Sequence, residues 1–206
     1  MIPGTPQILR CPHCGKKKEI MSLNSGNTFG SELWSDGKQI APMLPEISYI
    51  QKCPHCGKYF NRTRQKVRYS GKNECGGEQG LLSFHEMKEA FAQFSKESFF
   101  DKEEEINVRM MLHYAYNDFY FRKNSVGEKT IILEDSALFR DNALWLIENF
   151  ISDDVLKADF YREIGDFETA GNILESFVVD DDFIKGIVAN IKERLNNKDS
   201  AVFKIY

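Results

Sequence analysis

Two near-identical hexapeptides, Cys11-Pro12-His13-Cys14-Gly15-Lys16 and Cys53-Pro54-His55-Cys56-Gly57-Lys58, constrain this chain more than any other feature. A two-residue gap lets both sulfurs of one turn face a single ion, and the following glycine permits the left-handed backbone that closes the turn. Two such turns predict four thiolates, Cys11, Cys14, Cys53 and Cys56, around one structural Zn2+. A closed four-thiolate site has no open position for water, so no Lewis-acid chemistry is expected of it. The redox use of CxxC pairs is disfavoured because no βαβ pattern surrounds either pair. His13 and His55, lying between ligating cysteines, are expected to point outward.

The paired CPxCG turns resemble the knuckles of the zinc-ribbon class over the first third of the chain. The interval between them is long: 38 residues separate Cys14 from Cys53, against roughly 15–20 in a compact two-knuckle pattern. Within it, Phe29 to Trp34 and Gln39 to Met43 flank Ser35-Asp36-Gly37-Lys38. An Asp-Gly pair between two such runs predicts an inserted β-hairpin, and Pro42 and Pro45 should end its second strand. Strands are also expected over Lys17–Leu23 and Ile47–Gln51. The loop before the hairpin is not a phosphate loop: six residues separate Gly30 from Gly37, and Gln39 stands where a hydroxyl residue would follow Lys38.

Charge divides the chain more sharply than its net value of -4 suggests. Residues 1–80 carry 12 Lys+Arg against 6 Asp+Glu, hence +6; residues 81–206 carry 15 against 25, hence -10. The boundary coincides with a glycine-rich segment, residues 71–80, read as a linker between domains at 1–70 and 81–206. No apolar run approaches the length of a membrane span, and Met1 to Arg10 does not look like a secretory signal. Five cysteines, four of them in CxxC pairs, suit metal binding in a reducing, cytoplasmic compartment better than a disulfide framework.

After residue 80 the periodicity becomes helical. Ser83 with Glu86 forms a capping-box pattern at the head of a helix through Phe94. Asp101 begins a second helix, apolar on most sides and therefore expected to be central, whose acidic first turn suits the helix dipole. A loop is expected over Asn124–Lys129, and further helices near 135–150, 153–164, 166–177 and 181–196. The segment Asp154–Phe177 resembles a tetratricopeptide repeat through Ala158, Tyr161, Gly165, Phe167, Ala170 and Leu174. One copy is present, which implies a TPR-like helical hairpin rather than a peptide-binding superhelix. The arrangement as a whole resembles bacterial proteins of uncharacterised activity that join paired CPxC turns to TPR-like helices.

The expected fold is therefore α+β, a small N-terminal β zinc ribbon with an inserted hairpin followed by an all-α domain. The expected function is non-catalytic, a protein-interaction or adaptor role with a protein or peptide partner and no membrane contact. Trp34, Met43 and Leu44 are the candidate partner-binding residues. A nucleic-acid-binding regulator is the alternative, drawing on Lys58, Arg62, Arg64, Lys66 and Arg68, which interleave with Tyr59, Phe60 and Tyr69. The bland account of that run is a solvated strand face, or a basic stretch docked on acidic helices. Cys75 stands alone without a matched histidine, and His85 and His113 make no catalytic set with the carboxylates.

Overall fold

Knuckles, glycines and prolines interrupt the N-terminal chain so often that its strands stay short, while the later sequence has uninterrupted runs of helix formers. The computed structural model describes residues 1–69, 80–122 and 130–205. The architecture is α+β, with small antiparallel sheets preceding six α-helices among the described residues. The chain divides into two compact units, Met1–Glu32 with Gln39–Val108, and Leu33–Lys38 with Arg109–Tyr206. The glycine-rich stretch up to residue 79, Cys75 within it and the expected loop at Asn124–Lys129 lie outside the described residues.

In the first unit, strand β1 (Ile2–Pro3) pairs with β4 (Leu23–Ser25), and β2 (Gln7–Arg10) sits between β3 (Lys17–Ile20) and β9 (Arg68–Tyr69). The run expected as one strand, Lys17–Leu23, is thus divided between β3 and the start of β4. Strand β7 (Ile50–Lys52) pairs with β8 (Tyr59–Asn61) across the second knuckle. Leu9, Cys11, Ile20, Cys53 and Phe60 form the core, so two of the cysteines are core residues as well as candidate ligands.

The basic run after the second knuckle is not one strand. Asn61 Oδ1 accepts from Thr63 N (2.9 Å) and Thr63 Oγ1 (2.8 Å), and a 3-10 turn at Arg62–Arg64 follows β8. The side chain competes with the ladder for these donors and turns the chain.

Helix α1 (Phe84–Glu97) has the expected capping box, with Ser83 Oγ accepting from Glu86 N. Its buried stripe, Phe84, Met87, Ala90 and Phe94, repeats at helical spacing. The other side of α1 reaches β8: Gln93 Nε2 donates to Tyr59 O (2.9 Å) and Gln93 Oε1 accepts from Tyr59 N (3.0 Å). One amide side chain thereby supplies both bonds that a neighbouring strand would have made. Replacing Gln93 by Ala should lower the stability of the first unit by about 1–2 kcal/mol in urea titrations of metal-replete protein.

Helix α2 (Lys102–Asn117) begins in the first unit and, from Arg109, belongs to the second. Its buried residues are Glu104, Val108, Leu112, His113, Tyr116 and Asn117, with Tyr120 following. This set carries three polar or charged side chains, Glu104, His113 and Asn117, and differs from the apolar positions that made the helix look central. A wider π turn, Asp118–Arg122, continues it.

The second unit adds α3 (Leu133–Asn149), α4 (Asp154–Glu163), α5 (Phe167–Glu175) and α6 (Asp182–Asn196). Asp153, Asp166 and Asp181 cap α4, α5 and α6 by accepting from the amides of Leu156, Thr169 and Ile184. Helices α4 and α5 form an antiparallel hairpin turning at Gly165, whose φ of 80° is left-handed. Ala158, Ala170 and Leu174 are fully buried and let the helices close on each other.

The expected inserted hairpin exists but is short, with β5 (Glu32–Leu33) and β6 (Gln39–Ile40) flanking its turn. Gly37 has φ 81°, and Trp34 N donates to Lys38 O at 2.9 Å. Its tip, Leu33–Lys38, belongs to the second unit and is pinned there by polar groups. Asp36 is fully buried and lies 2.6 Å from Arg122 Nη1, while Lys38 Nζ lies 2.9 Å from Asp118. Ser35 N donates to Phe203 O (2.9 Å), and Ile205 N donates to Leu33 O (2.7 Å). An Asp36→Leu substitution leaves Arg122 with Asp118 as its remaining carboxylate and takes an acceptor from Asn117, so it should cost the second unit about 2 kcal/mol. A loss below about 1 kcal/mol by denaturant titration would count against this assignment.

Candidate metal centre

The two knuckles repeat one backbone plan. Gly15 N donates to Cys11 O and Gly57 N to Cys53 O, each at 2.9 Å; Cys11 N donates to Lys16 O and Cys53 N to Lys58 O, also at 2.9 Å. Gly15 and Gly57 have φ of 72° and 73°, the left-handed geometry expected of the residue that closes each turn. Strand pairs β2–β3 and β7–β8 fix the feet of the two turns and bring them face to face.

The result is a cluster of Cys11, Cys14, Cys53 and Cys56 whose sulfurs all lie within 4.8 Å of one another. Cys11 Sγ is 3.7 Å from Cys56 Sγ, and Cys14 Sγ is 3.6 Å from Cys53 Sγ. Four sulfurs held about 2.3 Å from one ion at tetrahedral angles stand about 3.8 Å apart, so the spacing fits a tetrahedral thiolate cage. All four cysteines are free. This is the one cluster of three or more metal-ligating side chains among the described residues.

The electrostatics favour a cation. Burial pushes the Cys11 thiol up to about 12, although the amides of Cys14 and His13 point at its sulfur. At Cys53 burial again opposes ionisation, but the amides of Cys56 and His55 and the neighbouring thiols bring it down to about 6. Four sulfurs this close titrate as a set, and only a bound positive ion lets all of them ionise together. Cys11 and Cys53 are 1% exposed, whereas Cys14 and Cys56 face solvent.

His13 and His55 do not join the cluster. His13 is exposed, and its Nε2 lies 3.1 Å from Tyr59 O, which as a carbonyl can only accept, so the imidazole carries its proton there. The bond ties the first knuckle to β8. Sequence periodicity had no means of signalling it, because the partner is a backbone atom 46 residues away.

The basic candidates are dispersed. Lys58 Nζ lies 3.9 Å from Glu97, and Arg64 reaches Asp101 at 3.0 Å and Glu104 at 2.8 Å with its guanidinium 3.5 Å over Phe100. Arg62 is partly buried, and desolvation lowers its guanidinium below the usual range. Lys66 and Arg68 are exposed. Of the apolar candidates, Trp34 falls in the second unit, where the Arg122 guanidinium lies 5.4 Å from its ring; Met43 and Leu44 belong to the first. Phe29, also in the first unit, is 82% exposed.

No protein-family model, curated protein or solved structure matches the chain. No helix among the described residues is long and apolar enough to cross a membrane.

Replacing Cys11 or Cys53 by Ser should abolish metal binding and destabilise the first unit severely, because each sulfur is also core. Replacing Cys14 or Cys56 should weaken metal binding with a smaller loss of fold. Elemental analysis together with thermal melts of the four variants separates the two classes.

Proposed function

We propose that this is a non-catalytic zinc-binding interaction module, its metal structural and its partner a protein or peptide. Zinc is the ion best suited to four thiolates at tetrahedral spacing, because it has no redox chemistry to manage and accepts a closed sulfur cage. Reduced cysteines in that cage suit a cytoplasmic setting. The α4–α5 hairpin fits the TPR-like account through its small interface residues and its glycine turn.

The observation carrying the interaction reading is an exposed apolar group in the first unit. Phe29, Met43 and Leu44 are 82%, 40% and 44% exposed. Their two loops are locked together where Gly26 packs against the second: a Cβ on Gly26 would lie 2.5 Å from Met43 O and 2.8 Å from Leu44 Cδ1. Asn27 N also donates to Met43 O at 3.3 Å. Solvent-facing aromatic and aliphatic side chains on two loops joined by a close backbone contact are features of a protein-binding patch.

Two measurements test the proposal. Elemental analysis should find about one zinc per chain. A photo-crosslinking amino acid at Phe29 should capture a discrete partner in cells, and Met43→Asp should abolish the capture without lowering the melting temperature. A protein that crosslinks nothing defeats the interaction reading.

The second reading, nucleic-acid binding, draws on a narrower observation. Arg10 and Lys17 are cross-strand partners, as are Ile8 and Arg68, so three cations share the outward face of the β3–β2–β9 sheet. Against it, Lys58 and Arg64 already pair with carboxylates of α1 and of the turn leading into α2. Binding to single-stranded or duplex DNA that weakens steeply between low and moderate salt would favour this reading, and no binding at low salt removes it.

A further inference from the structure

The two knuckles present their sulfurs unequally. Cys11 and Cys53 are sealed in the core of the first unit with Leu9, Ile20 and Phe60, whereas Cys14 and Cys56 stand at the exposed tips of their turns. The tips are open: a Cβ built on Gly15 or Gly57 would meet no atom within 4 Å, and Pro12, His13, Pro54 and His55 around them are exposed.

Two close sulfur–sulfur approaches join the exposed class to the buried one across the knuckles. Cys56 Sγ lies 3.7 Å from Cys11 Sγ, and Cys14 Sγ lies 3.6 Å from Cys53 Sγ. Each pair thus holds one sulfur that a small solute can reach and one buried sulfur beside it. A disulfide bond is about 2.05 Å long, so each pair has to close by about 1.6 Å. A bond across the turns leaves in place the hydrogen bonds that shape each turn, from Gly15 N to Cys11 O and from Gly57 N to Cys53 O.

On the reading of the cluster as a zinc site, we propose that its sulfurs are also a site of oxidation by hydroperoxides. The exposed Cys56 and Cys14 react first, and the bonds that result cross the knuckles, Cys56 to Cys11 and Cys14 to Cys53. The Cys56 thiolate attacks one peroxide oxygen; the O–O bond breaks, hydroxide leaves and the sulfur becomes a sulfenic acid. The Cys11 thiolate then attacks that sulfur, the S–O bond breaks, and a second hydroxide leaves as the S–S bond forms. Two electrons pass from the sulfur pair to one peroxide. Cys14 and Cys53 repeat the sequence with a second peroxide. Four thiolates have then become two disulfides, no ligand charge is left to hold a dication, and the ion is released.

The consequence for the fold is specific. Strand pairs β2–β3 and β7–β8 hold the feet of the two turns, and two disulfides between the turns cross-link what the metal cross-linked. The first unit gives up its ion and keeps the constraint on its short strands. Oxidation inside each turn would give up both.

Trypsin makes the pairing readable by mass spectrometry, because it cleaves after Arg10, Lys16, Lys52 and Lys58 and so releases residues 11–16 and 53–58 as hexapeptides of identical sequence. The zinc-loaded full chain is treated with hydrogen peroxide, quenched with N-ethylmaleimide and digested without reduction. Bonds across the knuckles give two hexapeptides linked together, and a bond within a turn gives a single hexapeptide lighter by the two hydrogens lost. With one peroxide per chain, the bond should join the fourth residue of one hexapeptide to the first residue of the other, the two remaining cysteines carrying maleimide. Dimedone present during the reaction should mark the fourth residue, Cys14 or Cys56, and not the first. With excess peroxide, about two peroxides should be consumed per zinc released, and the oxidised chain should melt above chain stripped of metal by a chelator under reducing conditions.

A lighter single hexapeptide, a first-to-first link, a bond to the peptide carrying Cys75, or zinc retained against excess peroxide each overturns the proposal. A chain that carries no zinc before peroxide is added defeats the zinc reading instead, and its linkage pattern still decides the pairing.

Discussion

Cys11 and Cys53 each belong to two structures at once, the sulfur cluster and the core formed with Leu9, Ile20 and Phe60. The first unit depends on this double membership. Its strands are two to four residues long, too short to hold register by ladder bonds alone, and the core cluster has few aliphatic side chains. A metal held by all four sulfurs would cross-link the two knuckles and supply the constraint that a larger apolar core supplies elsewhere.

Around this centre, charge is used for packing. The +6 of the N-terminal 80 residues looks like a polyanion footprint in isolation. In the fold, Lys52 meets Glu86, Lys58 meets Glu97, and Arg64 meets Asp101 and Glu104, all within the first unit. Such pairs contribute little stability each where they are exposed, but they occupy Lys58 and Arg64 of the basic run internally. The second unit shows the opposite regime. Asp36, Arg122, His113, Asn117, Asp159, Arg162 and Glu163 are buried together, where a matched set is tolerated and any mismatch is costly. Gly26 and Gly37 serve the hairpin region differently: one permits close approach of two loops, the other supplies a left-handed turn.

Much of this was legible from residue order because the signals are local. Ser83 with Glu86, Asp153, Asp166 and Asp181 mark helix starts by bonding to amides three residues on. Cys-x-x-Cys-Gly marks a knuckle by the same short-range logic, and Asp36-Gly37 marks a turn. Strand limits were less legible. The basic run reads as continuous alternation until Asn61 turns the chain with its own side chain.

The sequence by itself determined the two cysteine knuckles, the α+β order and the helix caps, since each rests on contacts within a few positions. Only the tertiary structure decided where the polar side chains went. Nothing local marks Asp36 as the partner of Arg122, 86 residues away, or Gln93 as the substitute strand beside Tyr59. His113 and Asn117 read as ordinary polar breaks in an apolar helix. Their burial is set by which stripe of α2 the packing encloses, a choice made by long-range geometry and invisible to periodicity.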